Sequence, residues 1–269
     1  MKITAKTKIC MIIGDPIEHS LSPEIHNAGY EALNIDDQFV YVASRVNVDN
    51  IEIFVKGVRA MNIRGVSCTI PHKIAVIPFL DEVEDIAKKI GAVNTIVNEN
   101  GKLIGYNTDW LGVLIPLERI TQLENKTVAL MGAGGAARAV AYAVTCRGAK
   151  LTIYNRTHEK ARELAKEFDG IAYPIDEIEN VKHADIIINT TSVGLHDTNE
   201  TIVPKKYISK HQIIFDAVYG SETQLLKNAK EKGAKTINGL EMLLNQGFAQ
   251  FKLFTEYDAP AAVMRKALR

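Results

Sequence analysis

TVALMGAGGAARAVAYAV, Thr127 to Val144, is the stretch on which the fold turns. A short apolar run reads as a buried strand, a glycine cluster interrupts it, and an alanine-rich helical pattern follows at once. Strand, glycine turn and helix in that order are the setting in which a GxGxxG/A pattern means dinucleotide binding. Gly132 permits the tight turn, Gly134 lets a pyrophosphate approach the backbone, and Ala137 in the third slot still allows close helix–strand packing. The loop Gly132-Ala133-Gly134-Gly135-Ala136 then delivers phosphates to a helix N-terminus, whose unpaired N–H groups and positive dipole end suit them.

The next strand, KLTIYNR (150–156), narrows the cofactor. An NAD site places an acid at the end of this strand to hold the ribose 2′-hydroxyl. Here the chain reads Asn155-Arg156-Thr157, and an arginine at that place suits a 2′-phosphate through charge-assisted hydrogen bonds. Thr157 is expected to cap the following helix. Lys160, where a capping box would have Glu or Gln, adds a second cation. The expected cofactor is NADP.

Outward from this core, apolar β-branched runs alternate with helical patterns. Upstream, KICMIIG, QFVYVAS and IRGVSCTI read as strands, and SPEIHNAGYEALN and VDNIEIFVKGVRAM as helices, a βαβαβ order. Ser22 is the expected N-cap of the first helix, with Pro23 at its first position, and Pro71 stops the third strand. AVNTIVNENGKLIGYNTD reads as two strands around the turn Asn98 to Gly101, leading into a helix from Trp110. Downstream come THEKARELAKEF as a helix and IAYPI, ADIIINTT and QIIFDAVY as strands. Residues 239–269 read as two helices. The polar segment QLENKT marks a change of domain.

At 269 residues the chain is long enough for two cores. Thirty-two basic and 32 acidic residues cancel, which argues against nucleic acid as a partner. Cys10, Cys68 and Cys146 lie far apart and suit reduced thiols. The apolar run near the start is short and broken by Gly14, Asp15 and Pro16, so neither a signal peptide nor a membrane span is expected. A cytoplasmic protein, monomer or homodimer, follows as the expectation.

SCTIPHK (67–73) packs a thiol, an imidazole and an amine into seven residues. Covalent catalysis by Cys68 with His72, a metal site, and proton transfer by Lys73 are all open on these residues alone. His72 has no cysteine or acid at metal-ligand spacing and reads as part of the turn; His19 with His26 form no recognisable set, so no metal is predicted.

Eight segments occur together in order: SLSPEIHN (20–27), TIPHK (69–73), GAVNT (91–95), YNTDWLG (106–112), GAGGAARA (132–139), NRT (155–157), DAVY (216–219) and NGLEMLLNQG (238–247). This set resembles the shikimate dehydrogenase family along essentially the whole chain. The resemblance implies an α/β fold with an N-terminal α/β substrate domain and a Rossmann-type doubly wound NADP domain. C-terminal helices would return to the first domain, giving 1–115 with 239–269 as the substrate domain and 116–238 as the cofactor domain.

The implied reaction is reduction of 3-dehydroshikimate to shikimate by NADPH. Lys73 matches the family's catalytic lysine and Asp109 its partner. Ser20, Ser22 and Tyr219 match contacts to the substrate carboxylate. Thr69, Asn94 and Gln246 match contacts to ring hydroxyls, and Gly239 falls with the cofactor set. A ketone reduction needs a proton donor at oxygen as hydride reaches carbon, and a lysine serves when desolvation or a nearby positive charge lowers its pKa.

One departure stands out. The family strand usually reads Asn-Val-Thr before the proline, with the asparagine on the substrate; here it is Ser67-Cys68-Thr69. A shorter side chain without an amide leaves room for quinate or a related polyol acid, so a quinate/shikimate dehydrogenase of relaxed specificity is an alternative. Alternation puts Cys68 on the opposite strand face, as a small core residue. Methylenetetrahydrofolate dehydrogenase shares the two-domain plan but not the serine pair and the Thr69/Lys73 set. A non-catalytic dinucleotide-sensing regulator would be expected to have lost Lys73 or Asp109, and both are present.

Overall fold

Alternating apolar runs and amphipathic helices build two separate sheets, as a computed structural model describing residues 3 to 268 shows. The first unit runs to Asp109 and resumes at Leu243; the second is Trp110–Met242.

In the first unit the elements are β1 (Lys8–Gly14), α1 (Ser22–Ala32), β2 (Phe39–Arg45), α2 (Ile51–Ala60), β3 (Gly65–Cys68), α3 (His72–Ala75), β4 (Glu82–Val83), α4 (Asp85–Ile90), β5 (Thr95–Glu99) and β6 (Lys102–Tyr106). The sheet order is β2-β1-β3-β5-β6-β4. β1 pairs parallel with β2 and β3, whereas β3-β5 and β5-β6 are antiparallel. The hairpin turn falls at Asn100-Gly101, the residue pair that suits a two-residue connection.

The period-2 alternation of β3 is realised in its packing. Cys68 joins a core with Ile13, Val55, Val58, Val66 and Leu103 on one face. Burial pushes its thiol up to about 12, so it stays protonated and inert. Ser67 faces the other side, toward Tyr41 and Gln250.

α5 (Asp109–Glu118) leads into the second unit. Its elements are β7 (Thr127–Met131), α6 (Gly135–Thr145), β8 (Lys150–Asn155), α7 (His158–Glu167), β9 (Ile171–Pro174), β10 (Ile186–Asn189), β11 (Ile213–Asp216), α8 (Gln224–Glu231) and β12 (Lys235–Ile237). α9 (Gly239–Thr255) and α10 (Ala261–Lys266) follow. The six strands lie in the order β12-β11-β10-β7-β8-β9, with β7 to β12 all parallel. This is the doubly wound α/β plan, whose strand order reverses at β7 beside the glycine turn.

Several details differ from the expectation. The expected boundaries put 110–115 and 239–242 with the substrate domain. Val113, Leu114 and Met242 instead pack into the core of the second unit, around Leu130 and Ile153. Ser22 is the first helical residue, not the cap: Leu21 holds the cap position without a side-chain bond. Thr157 does hold the cap position of α7, yet its side chain makes no capping bond. The short pieces α3, β4 and α4 fall below the length at which periodicity is legible. Among the described residues no helix is long and apolar enough to cross a membrane.

His26, on α1, is fully buried and stacks on Tyr41 with ring centroids 4.2 Å apart and planes 8° from parallel. Gln250 faces the ring, but neither nitrogen has a partner at hydrogen-bond geometry. Burial therefore pushes its pKa from 6.5 down to about 3. Between these values the unfolded chain binds the proton and the folded one does not, so this residue's contribution is complete above about pH 6.5 and lost as pH falls toward 3. His26→Phe is expected to flatten the acid limb of a Tm-against-pH profile relative to the parent. Parallel profiles for the two proteins would contradict it.

Candidate active site

The site is built on the ends of β3, β5 and β6. After Cys68 the chain turns: the Thr69 N–H donates to the Ile13 carbonyl at 2.9 Å, and the His72 N–H donates to the Thr69 carbonyl at 2.8 Å. His72 is more than the turn residue expected from the sequence. It is wholly buried, and its Nε2–H donates to the Val46 carbonyl at 2.8 Å, which fixes the tautomer. Burial pushes its pKa down, keeping it neutral. It anchors the turn that carries the next residue.

That residue is Lys73. Its ammonium lies 2.5 Å from Asp109 Oδ2, with the two side chains 13% and 5% exposed. A pair this buried is held only if the other lone pairs are also satisfied. Asn94 does so, its Nδ2 donating to Asp109 Oδ1 at 2.9 Å. The Asn94 side-chain carbonyl in turn accepts the Thr108 N–H at 2.8 Å and the Thr95 hydroxyl at 2.7 Å. Asn107 fixes the start of α5 by accepting the Asp109 N–H at 3.0 Å and donating to the Ala92 carbonyl at 2.8 Å. Asp109 is thus the first helical residue with its carboxylate turned to Lys73, rather than a helix cap.

Gln246 Oε1 sits 3.4 Å from Asn94 Nδ2, so residues far apart in the chain converge on one amide. Ser20 Oγ accepts the Ser22 N–H at 3.3 Å. Ser22 is buried beside the Tyr41 phenol, whose hydroxyl donates to Ser67 Oγ at 2.6 Å. Thr69 is half-buried next to Gly14. Tyr219 belongs to the second unit, and burial pushes its hydroxyl up. Thr95, Thr108, Tyr41 and Gln250 escape a reading of the sequence alone. A polar residue among apolar neighbours, as Gln250 is in FAQF, is the one available signal.

In the second unit the turn after β7 has the features a pyrophosphate needs. Gly132 lies at φ +107°, and a Cβ there would meet Thr190 Oγ1 at 2.7 Å, so both conformation and space require glycine. A Cβ on Gly134 would meet nothing within 4 Å, which leaves the backbone open to approach. α6 starts at Gly135 with no side-chain cap, so its first N–H groups remain available to an anion. Ala133 and Ala136 pack on the core, and Ala137 is fully buried.

Beyond β8, the Asn155 Nδ2 donates to the Thr157 carbonyl at 2.9 Å, which shapes the turn. Arg156 and Lys160 are exposed, and neither is held in an ion pair among the described residues. These residues fit a dinucleotide carrying an extra phosphate. A Cβ on Gly239 would come 2.3 Å from the Ala217 carbonyl oxygen, so α9 can start there only with glycine.

The polar residues that end the next strands are likewise visible only in the fold. The Thr190 hydroxyl donates to the Met131 carbonyl at 2.7 Å, bracing the glycine turn. Asn189 donates to Asp216 Oδ1 at 2.9 Å, and Thr223 donates to Asp216 Oδ2 at 2.6 Å. Burial pushes the Asp216 carboxyl up.

Known proteins match this arrangement along the chain. Residues 12–96 match the shikimate dehydrogenase substrate binding domain, 116–216 the shikimate/quinate 5-dehydrogenase domain, and 239–269 the shikimate 5'-dehydrogenase C-terminal domain. The NADP(+) shikimate dehydrogenase of Carboxydothermus hydrogenoformans is 44% identical, covering 100% of this chain and 99% of that one. The shikimate dehydrogenase structure from Aquifex aeolicus superposes with a TM-score of 0.94 at 42% identity over 100% of both chains. That of shikimate 5-dehydrogenase from Thermus thermophilus, solved with NADP(H) and shikimate, does so at 0.90 and 36% identity over 98% of this chain and 99% of that one. With an α/β fold, a glycine-turn cofactor unit and these matches over its full length, the chain belongs to the shikimate dehydrogenase family.

Proposed function

We propose that this chain is an NADP-dependent shikimate dehydrogenase that interconverts 3-dehydroshikimate and shikimate. The observation that carries the reading is the buried Lys73–Asp109 pair, held by Asn94. Such a pair is costly to desolvate, and it holds one ammonium in a fixed place from which a proton can be given and taken back.

When bound, NADP(H) supplies the hydride in one direction and accepts it in the other. Lys73 gives a proton to the ketone oxygen on reduction and takes it from the alcohol on oxidation. Asp109 holds the ammonium in place, and its own orientation is set by Asn94 and by the Asn107 bond to its backbone. Ser20, Ser22 and Tyr219 bind the substrate carboxylate; Thr69, Asn94 and Gln246 bind ring hydroxyls. The loop Gly132 to Ala136 binds the pyrophosphate. Arg156, with Lys160, Asn155 and Thr157, binds the 2′-phosphate. The enzyme works in the cytoplasm, as a monomer or homodimer.

The test is absorbance at the reduced-nicotinamide band with shikimate and NADP⁺. Turnover is expected, and its absence at every pH tried would reject the reading in favour of a non-catalytic sensor. Ser67 supports a second reading, use of quinate as well. Its hydroxyl is bonded to Gln250 and Tyr41, and it offers no amide to the ligand. Equal kcat/KM for quinate and shikimate would favour that one.

A further inference from the structure

The side of the substrate unit that carries Ser67 contains one unbroken chain of buried hydrogen bonds. The Tyr41 hydroxyl donates to Ser67 Oγ at 2.6 Å, and Ser67 donates to Gln250 Oε1 at 3.0 Å. Gln250 Nε2 donates to Thr95 Oγ1 at 2.9 Å and to the Asn94 backbone carbonyl at 3.2 Å. Thr95 donates to Asn94 Oδ1 at 2.7 Å, and Asn94 Nδ2 donates to Asp109 Oδ1 at 2.9 Å. Tyr41, Ser67, Gln250, Thr95, Asn94 and Asp109 are each at most 4% exposed, so water does not substitute for any of these links.

Counting protons along the chain fixes its direction. A carboxamide has two N–H donors, and both of those on Gln250 are spent, on Thr95 and on the Asn94 backbone. Because Thr95 accepts from Gln250, its single proton goes to Asn94 Oδ1. The oxygen end of the Asn94 amide is thus held by two donors, the Thr95 hydroxyl and the Thr108 N–H, and its NH2 end turns to the carboxylate of Asp109. On the other side, Ser67 has committed its only proton to Gln250 Oε1 and receives one from Tyr41. What remains at Ser67 is a lone pair, so it can accept a hydrogen bond from a ligand hydroxyl but cannot donate one.

We propose that Gln250 is a positioning residue for the substrate site. It orients the Ser67 hydroxyl and, together with the Thr108 N–H, the Asn94 carboxamide, and through Asn94 the carboxylate that holds Lys73. The Ser67 position, where the family's strand usually carries an asparagine, then selects a ligand with a hydroxyl rather than an acceptor at that place. A buried, fully satisfied polar network specifies one arrangement because any alternative strands a donor or an acceptor.

This rests on the shikimate dehydrogenase reading, and the experiment separates the two. In Gln250→Met, which keeps the volume and removes the polar ends, KM for shikimate is expected to rise on the order of ten-fold, the loss of one or two net hydrogen bonds. The fall in kcat should be smaller, because these contacts serve ground state and transition state alike. If Gln250 acts through Ser67, the rise in KM for the double variant Ser67→Ala/Gln250→Met should be smaller than the product of the two single-variant rises.

A ligand-free readout accompanies the kinetics. By ¹⁵N NMR, the Asn94 side-chain NH2 should exchange slowly with water in the parent and faster in Gln250→Met. Tyr41→Phe, which keeps the ring stack, should leave that exchange slow and so serves as the folded comparison. A parent that does not turn over shikimate would reject the functional reading while the Asn94 exchange still decides the positioning role. Unchanged KM and unchanged exchange in Gln250→Met, or fully multiplicative effects with Ser67→Ala, would overturn the inference, whatever happens to Tm.

Discussion

Lys73→Ala is expected to lower kcat by about 10²- to 10⁴-fold, the range in which a positioned general acid–base contributes. The effect should fall on kcat more than on KM, because the lysine's proton matters most as charge develops on the substrate oxygen. The substitution also leaves Asp109, 5% exposed, without its cation, which destabilises the protein. The Asn94 bond to Asp109 Oδ1 limits that cost by keeping one hydrogen bond on the carboxylate. Steady-state kinetics of oxidation, with NADP⁺ affinity measured in parallel, separates chemistry from unfolding. Near-normal kcat in a variant that still binds NADP⁺ would remove Lys73 from the reaction.

The second large effect concerns the cofactor. Arg156→Asp replaces a cation by the acid that an NAD site carries at the end of this strand. Arg156 is exposed and has no ion pair of its own among the described residues, so nothing inside the protein depends on its charge. Losing a charge-assisted contact and adding repulsion to a phosphate should reduce kcat/KM for NADP⁺ by about 10²-fold, from roughly 1.5–3 kcal/mol per charged hydrogen bond. Use of NAD⁺ should be unchanged or improved, and Tm should hold. Unchanged kcat/KM for NADP⁺ would show that the 2′-phosphate is bound elsewhere, Lys160 being the next residue to exchange.

The Arg156 effect rests on a residue type at a marked place in a local pattern, the end of the second strand of a dinucleotide fold, whereas the Lys73 effect rests on the resemblance of TIPHK and YNTDWLG to the shikimate dehydrogenase family. Other features are not readable in this way. His72 has the sequence setting of a turn residue, because nothing nearby in the chain announces that Val46, on another strand end, offers its carbonyl. Ser22 followed by proline has the sequence form of an N-cap, yet the helix begins at Ser22 itself and Leu21 holds the cap position. The domain edges are displaced from their expected places because apolar residues at 113, 114 and 242 suit any core, and only packing shows which one takes them.

Local pattern was enough for the α/β class, the strand–glycine–helix cofactor loop, the arginine in place of an acid, and the opposite faces of Ser67 and Cys68. These depend on periods of 2 and 3.6 residues and on backbone conformations open only to glycine, all of which operate between near neighbours in the chain. The tertiary structure decided which polar groups share protons. Asn94 and Gln250 are 156 residues apart and yet bonded, and Lys73 reaches Asp109 across 36 residues. The physical reason is that a buried donor or acceptor must find its partner wherever the fold brings one, so the protonation and orientation of the site belong to the packed molecule as a whole.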